Sequence, residues 1–178
     1  PLENLVLGGH DVCTRSLTDS AAELVQHGVL PSSLVERTAT RATNFEGRIR
    51  PGTLDGPDVG GLDLDPRSAE LGARSPREQV DRLRADIEEF RSSQGLSRVV
   101  VVNLSSTEAV RDAQPEWDDL DRFEEAIDNG LSQPASLLYA YAALSAGCPH
   151  VNFTPNRGAS IPALRQLARS RGSRRRHR

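Results

Sequence analysis

The chain has 178 residues, with 25 acidic and 22 basic side chains and a formal net charge of −3. Hydrophobic residues make up 37%, the ordinary globular range, which excludes disorder throughout. Every basic side chain is arginine, which excludes a side-chain Schiff base and any ammonium group for gripping a phosphate or an enolate.

The amino-terminal residues Pro1-Leu2-Glu3-Asn4 have no charged region followed by an apolar one, so no secretory signal is expected. Residues 5–9, Leu-Val-Leu-Gly-Gly, read as a short buried strand ending in a glycine turn. A chain that opens on a strand is expected to lack upstream sequence. Over residues 16–27, Leu17, Ala21, Leu24 and Val25 follow helical spacing, and Gly28 and Pro31 close the segment. Residues 47–76 hold six Gly and four Pro without periodicity and read as a long loop or lid. Ser75-Pro76-Arg77-Glu78 then restarts a helix with a near capping box, and Val80, Leu83, Ile87 and Phe90 share one face.

Residues 97–103 form the clearest strand. Val99 to Val102 lack polar alternation, which predicts a strand covered on both faces. Helical patterns follow at 117–129, closed by Gly130, and at 132–146, closed by Gly147; in the second, Leu137, Leu138, Tyr141 and Leu144 mark the buried face. A short strand at 149–153 and a last helix at 160–170 complete the order. Strands alternating with helices predict an α/β fold with a parallel sheet and flanking helices. In such sheets ligands lie beyond the carboxyl ends of the strands. Three loops are therefore candidates: residues 8–11, 103–108 and 152–156.

Each loop is ambiguous alone. Gly8 and Gly9 let backbone approach a ligand and Asp11 could accept sugar hydroxyls, but a plain turn has the same composition. Ser105, Ser106 and Thr107 could bind ribose, carboxamide or phosphate oxygens, or cap the next segment. Phe153 and Thr154 lie in a third loop of the same kind. No metal is expected, because His10, His27, His150 and His177 lack ligand spacing. A Ser-His-Asp hydrolase would lack the usual nucleophile elbow. Cys13 and Cys148 lie far apart and read as two buried thiols in a reducing, cytoplasmic setting. From Arg165 onward there are seven Arg and no acid, leaving 15 Arg against 25 acids elsewhere. An acidic body with a short basic tail argues against a nucleic-acid-binding surface.

Taken together, Val99-Val-Val-Val-Asn-Leu-Ser-Ser-Thr-Glu108, residues 138–155 and Gly8-Gly-His-Asp-Val12 resemble three segments of the inositol-3-phosphate synthase (myo-inositol-1-phosphate synthase) family. The resemblance runs in consistent order from about residue 5 to residue 171. It implies a Rossmann-like NAD domain, here residues 1–172 with a basic tail at 173–178. It also implies conversion of glucose 6-phosphate to inositol 3-phosphate by a hydride removed to NAD and later returned, in a homo-oligomer; no membrane span is expected, because no purely apolar run, Val99 to Val102 included, is long enough to cross a bilayer. By motif position Asp11 would contact NAD, and Leu104, Ser105, Ser106, Thr107, Phe153 and Thr154 would line its nicotinamide-ribose side.

The departures carry equal weight. The family's glycine-rich diphosphate loop lies upstream of the segments present, and its catalytic lysines lie downstream. No catalytic residue is therefore assigned. The chain is expected to be incomplete at both ends, its Arg-rich tail reading like a shifted frame or a broken end, and to have little or no turnover alone. The rival expectations are a non-catalytic interaction module and a fragment of another NAD-linked dehydrogenase.

Overall fold

The structure, a computed structural model, describes residues 5–54 and 63–175, without the side chains of the last four. It divides into two compact units, Pro1–Leu71 and Gly72–Arg178.

In the first unit, β1 (Gly9–Asp11) and β2 (Ile49–Pro51) pair in parallel, Gly9 opposite Ile49 and Asp11 opposite Pro51. Between them in sequence run α1 (Leu17–Gln26) and α2 (Ser32–Glu46), the crossover that parallel strands require. Ser16 caps α1 through its hydroxyl, which accepts from the Asp19 amide. The strand sits further along than residues 5–9, because the pairing partner decides. Asp11 O accepts from Gly52 N at 2.7 Å, whereas Leu5 and Leu7 are exposed. The helix α2 carries no wholly buried residue, so apolar periodicity gives little sign of it.

Residues 47–76 are not one loop. They contain β2 and α3 (Pro66–Gly72), while residues 55–62 lie outside the described residues. The physical reason at α3 is local: Asp65 accepts from the Arg67 amide at 2.8 Å, and Pro66 occupies the first turn, where its missing N–H is harmless.

The second unit begins with α4 (Pro76–Ser93), whose Ser75/Glu78 capping box forms in full. It continues through β3 (Val101–Asn103), a 3-10 turn at Pro115–Trp117, α5 (Leu120–Asp128), α6 (Ala135–Ser145), β4 (His150–Asn152) and α7 (Pro162–Arg175). Gly130 and Gly147, which end α5 and α6, have φ of 77° and 71°, the left-handed conformation that stops a helix without a Cβ penalty. The helix α6 is apolar nearly all round: Leu137, Leu138, Ala140, Tyr141, Ala142, Ala143 and Leu144 are buried. Such a helix belongs inside. Val80, Leu83, Phe123, Ile127, Ile161, Leu164 and Leu167 share its core. The sequence marked four of these α6 residues as one face; the core surrounds the helix instead.

The strands β3 and β4 pair in parallel, with Val101 opposite His150 and Asn103 opposite Asn152. Only part of the expected strand 97–103 joins the ladder. Val99 and Val101 pack with Ile87, Ala143 and Cys148. Val100 and Val102 are exposed, so the expectation of cover on both faces is not met among the described residues. Strand side chains alternate, and one layer covers one face. Among the described residues no helix is long and apolar enough to cross a membrane.

Candidate functional site

The parallel register of β3 and β4 brings their carboxyl ends together. At that end Asn103 Nδ2 donates to Asn152 Oδ1 at 3.1 Å, and Phe153 N donates to Asn103 O at 3.0 Å. The chain then splits into two loops that touch through polar groups. Asn103 Oδ1 accepts from Ser105 N at 3.1 Å. Thr154 Oγ1 donates to Asn152 Oδ1 at 2.8 Å, and Asn152 Nδ2 donates to Asn156 O at 2.6 Å.

Asn156 spans the two loops. Its Nδ2 donates to Ser106 O at 2.9 Å and to Ser105 Oγ at 3.2 Å, and its Oδ1 accepts from Glu108 N at 2.8 Å. Glu108 in turn reaches the start of α6. Its two carboxylate oxygens accept from Ser136 N and from Ser136 Oγ, each at 2.6 Å. Pro134 makes no side-chain cap for that helix. Glu108 therefore does from outside what a capping residue does locally, and its charge faces the positive end of the helix dipole.

Of the residues singled out by motif position, Leu104, Ser105, Ser106, Thr107, Phe153 and Thr154 lie on these two neighbouring loops. Leu104 and Phe153 are each 75% exposed. Ser106 and Thr107 are exposed, and their hydroxyls have no hydrogen-bond partner among the described residues. The backbone is held from behind while the hydroxyls stay available. Asn103, Glu108, Asn152 and Asn156 fell within the loops the strand-end rule singled out, yet nothing in their types distinguished anchor from contact. Ser136 had no signal, because its role arises from pairing with Glu108 across 28 positions.

Asp11 belongs to the first unit. Its Oδ1 accepts from Val12 N at 2.6 Å and Cys13 N at 3.0 Å, so one oxygen is committed to the turn after β1. Asp11 lines a cavity of about 220 Å³ together with Cys13, Arg15, Arg50, Asp65 and Arg67. Burial, then the carboxylates of Asp11 and Asp63, push the Cys13 thiol pKa up, which keeps it protonated and unreactive.

Comparison with known proteins gives concordant results. A family model described as myo-inositol-1-phosphate synthase, for its NAD-binding region, matches residues 1–175. Inositol-3-phosphate synthase 1-B of Xenopus laevis is 26% identical over 166 residues, which is 93% of this chain and 28% of that protein. Inositol-3-phosphate synthase 1 of Homo sapiens is 32% identical over 103 residues, 57% of this chain and 18% of that protein. The crystal structure of inositol-3-phosphate synthase from Caenorhabditis elegans superposes with a TM-score of 0.75 at 21% identity. The match covers 94% of this chain and 32% of that one, and establishes the same fold. The chain thus spans under a third of the length of these relatives.

Proposed function

The chain belongs to the myo-inositol-1-phosphate synthase family and corresponds to its NAD-binding region, and from that premise we propose that the paired loops after β3 and β4 hold the nicotinamide-ribose part of NAD. The observation that carries this reading is the exposed, unengaged pair of hydroxyls on Ser106 and Thr107, beside a loop backbone already fixed by Asn156. Hydroxyls fit ribose and carboxamide groups, which offer both donors and acceptors. The donor set thus suits the cofactor. Leu104 and Phe153 supply exposed apolar surface for its flat ring, and Thr154 borders the same end of the sheet. Asp11 would accept from a sugar hydroxyl through its second carboxylate oxygen.

Bound NAD would supply reversible hydride acceptance, with which the family's conversion of glucose 6-phosphate to inositol 3-phosphate would have no net redox change. The part of this chain is to bind and orient. It supplies no lysine to stabilise an enolate or hold a phosphate, so this stretch alone is expected to have little or no turnover. In the intact family enzyme the substrate would be glucose 6-phosphate and the assembly a homo-oligomer, in the cytoplasm.

Titration calorimetry of the purified chain with NAD tests the reading. The expected result is weak, saturable binding that falls about ten-fold or more, roughly 1.4 kcal/mol, in the Ser106→Ala/Thr107→Ala double variant. Unchanged affinity in that variant refutes the assignment. Turnover of glucose 6-phosphate comparable with a full-length relative would refute the expected inactivity.

A second reading has its own observation. Val100, Val102, Leu104, Val151 and Phe153 leave one face of the β3–β4 pair apolar and exposed, as suits a non-catalytic module that associates with a synthase subunit. Co-purification with such a subunit, without any NAD-dependent thermal shift, would favour it. The family match sets aside a fragment of an unrelated NAD-linked dehydrogenase.

A further inference from the structure

Two side chains at the loop pair spend their visible bonding capacity on tying the loops to each other and to the head of α6. Asn156 uses its amide nitrogen on Ser106 O and Ser105 Oγ and its amide oxygen on Glu108 N. Glu108 uses both carboxylate oxygens on Ser136, which is 2% exposed and stands at the head of the buried helix α6. The chain of contacts therefore runs from a helix buried nearly all round, through a carboxylate, to a loop whose Ser106 and Thr107 are exposed. Nothing in it consumes the Ser106 or Thr107 hydroxyl.

We propose that Asn156 and Glu108 are positioning residues for the cofactor loop: they transmit the fixed placement of α6 and of the β4 loop to residues 104–107, and so preset the hydroxyls of Ser106 and Thr107 for the ligand. The proposal rests on the reading of that loop as a cofactor contact. It assigns the Glu108 carboxylate a role away from the ligand, although a glutamate beside a loop of hydroxyls would otherwise suggest a proton carrier. Freeing such a loop makes binding meet the ordering entropy of the residues set loose.

The test uses the 178-residue chain and NAD as the probe. Asn156→Ala is expected to weaken NAD binding about ten-fold in titration calorimetry, at a temperature where circular dichroism shows the chain fully folded. Amide hydrogen exchange at Ser105, read without NAD, is expected to quicken in the same variant. That amide is bonded to Asn103 and not to Asn156, so its exchange reports the loop rather than the deleted contact. Glu108→Ala is expected to weaken NAD binding comparably. Glu108→Gln is expected to rescue it to within about three-fold, because an amide oxygen still accepts from Ser136 N and the amide nitrogen can donate to Ser136 Oγ.

Tyr141→Phe serves as the control for stability alone. It removes the 2.6 Å hydrogen bond from Tyr141 to Glu124, and is expected to lower the melting temperature without changing NAD affinity. Unchanged Ser105 exchange in Asn156→Ala overturns the positioning role whether or not NAD binds. Equal losses in Glu108→Gln and Glu108→Ala would mean that the hydrogen bonds to Ser136 do not carry the effect, which also overturns it. So would a Tyr141→Phe variant that binds NAD as poorly as Asn156→Ala. A wild-type chain that bound no NAD would overturn the cofactor reading and with it any role in affinity, while the exchange result would still separate the two failures.

Discussion

The imidazole of His150 stands at the first position of β4, and both ring nitrogens are buried without a hydrogen-bond partner among the described residues. Burial holds its pKa below the ordinary 6.5, because a charged ring would lose hydration with no compensating contact. The sign of the linkage follows. Above about pH 6.5 the ring is neutral in both folded and unfolded chains, and folding is unaffected. As pH falls below 6.5 the unfolded chain takes up a proton that the folded one resists, so stability declines until the lower folded pKa is reached. Urea melts between pH 7.5 and 5.5 are expected to show that decline, and His150→Phe is expected to flatten it. A slope unchanged in the variant would place the titrating group elsewhere.

At the scale of elements, the helix ends were the most legible part of the sequence. Ser75, Pro76 and Glu78 announce α4, and the structure forms both halves of the capping box, with Ser75 N donating to Glu78 Oε2 at 3.0 Å. The Ser75 contacts also hold the Glu78 carboxyl below its usual range. Ser75→Ala is expected to cost about 1 kcal/mol, read as a lower denaturation midpoint with an unchanged slope; a loss below about 0.3 kcal/mol would show that tertiary packing alone fixes the helix start. Gly130 and Gly147 were equally plain, since a turn at positive φ asks for glycine. The strands were less legible. Four valines in a row state that a segment is extended and apolar, but the length of the ladder depends on where residues 150–152 fall beside it. The loops were legible as places and not as mechanisms: Ser105, Ser106 and Thr107 stood out as hydroxyls, whereas the anchoring of their backbone depends on Asn156 and Ser136, which lie 28 or more positions away in sequence.

Across the whole molecule the two units differ in what they bury. In the second, Leu83, Phe123, Ile127, Leu137 and Leu164 have no exposed surface. In the first, among the described residues, the buried side chains are Thr53, Asp65, Ser68 and Leu71, and neither α1 nor α2 has a wholly buried residue. Burial of apolar surface supplies most of the stability of a folded unit, so local opening is expected to be easier in the first. Trypsin cuts this lysine-free chain after arginine alone. Brief digestion is expected to cleave after Arg37, Arg41 or Arg48 before any site in α4, leaving a protected fragment from about residue 72 onward, identified by mass. Early cleavage after Arg82 or Arg84 would contradict that order.

Gly158 closes the β4 loop with φ of 48°, and a Cβ placed there would come within 3.1 Å of the Asn152 side chain. Asn152 is bonded to Asn103, Thr154 and Asn156 at once. The shape of both loops is therefore hostage to an atom that is missing: adding one methyl group at a position with no functional group would disturb the carboxamide cluster from its rear. Damage at this site would arise from something gained, and a survey confined to deleting polar side chains would overlook the most economical way to cause it.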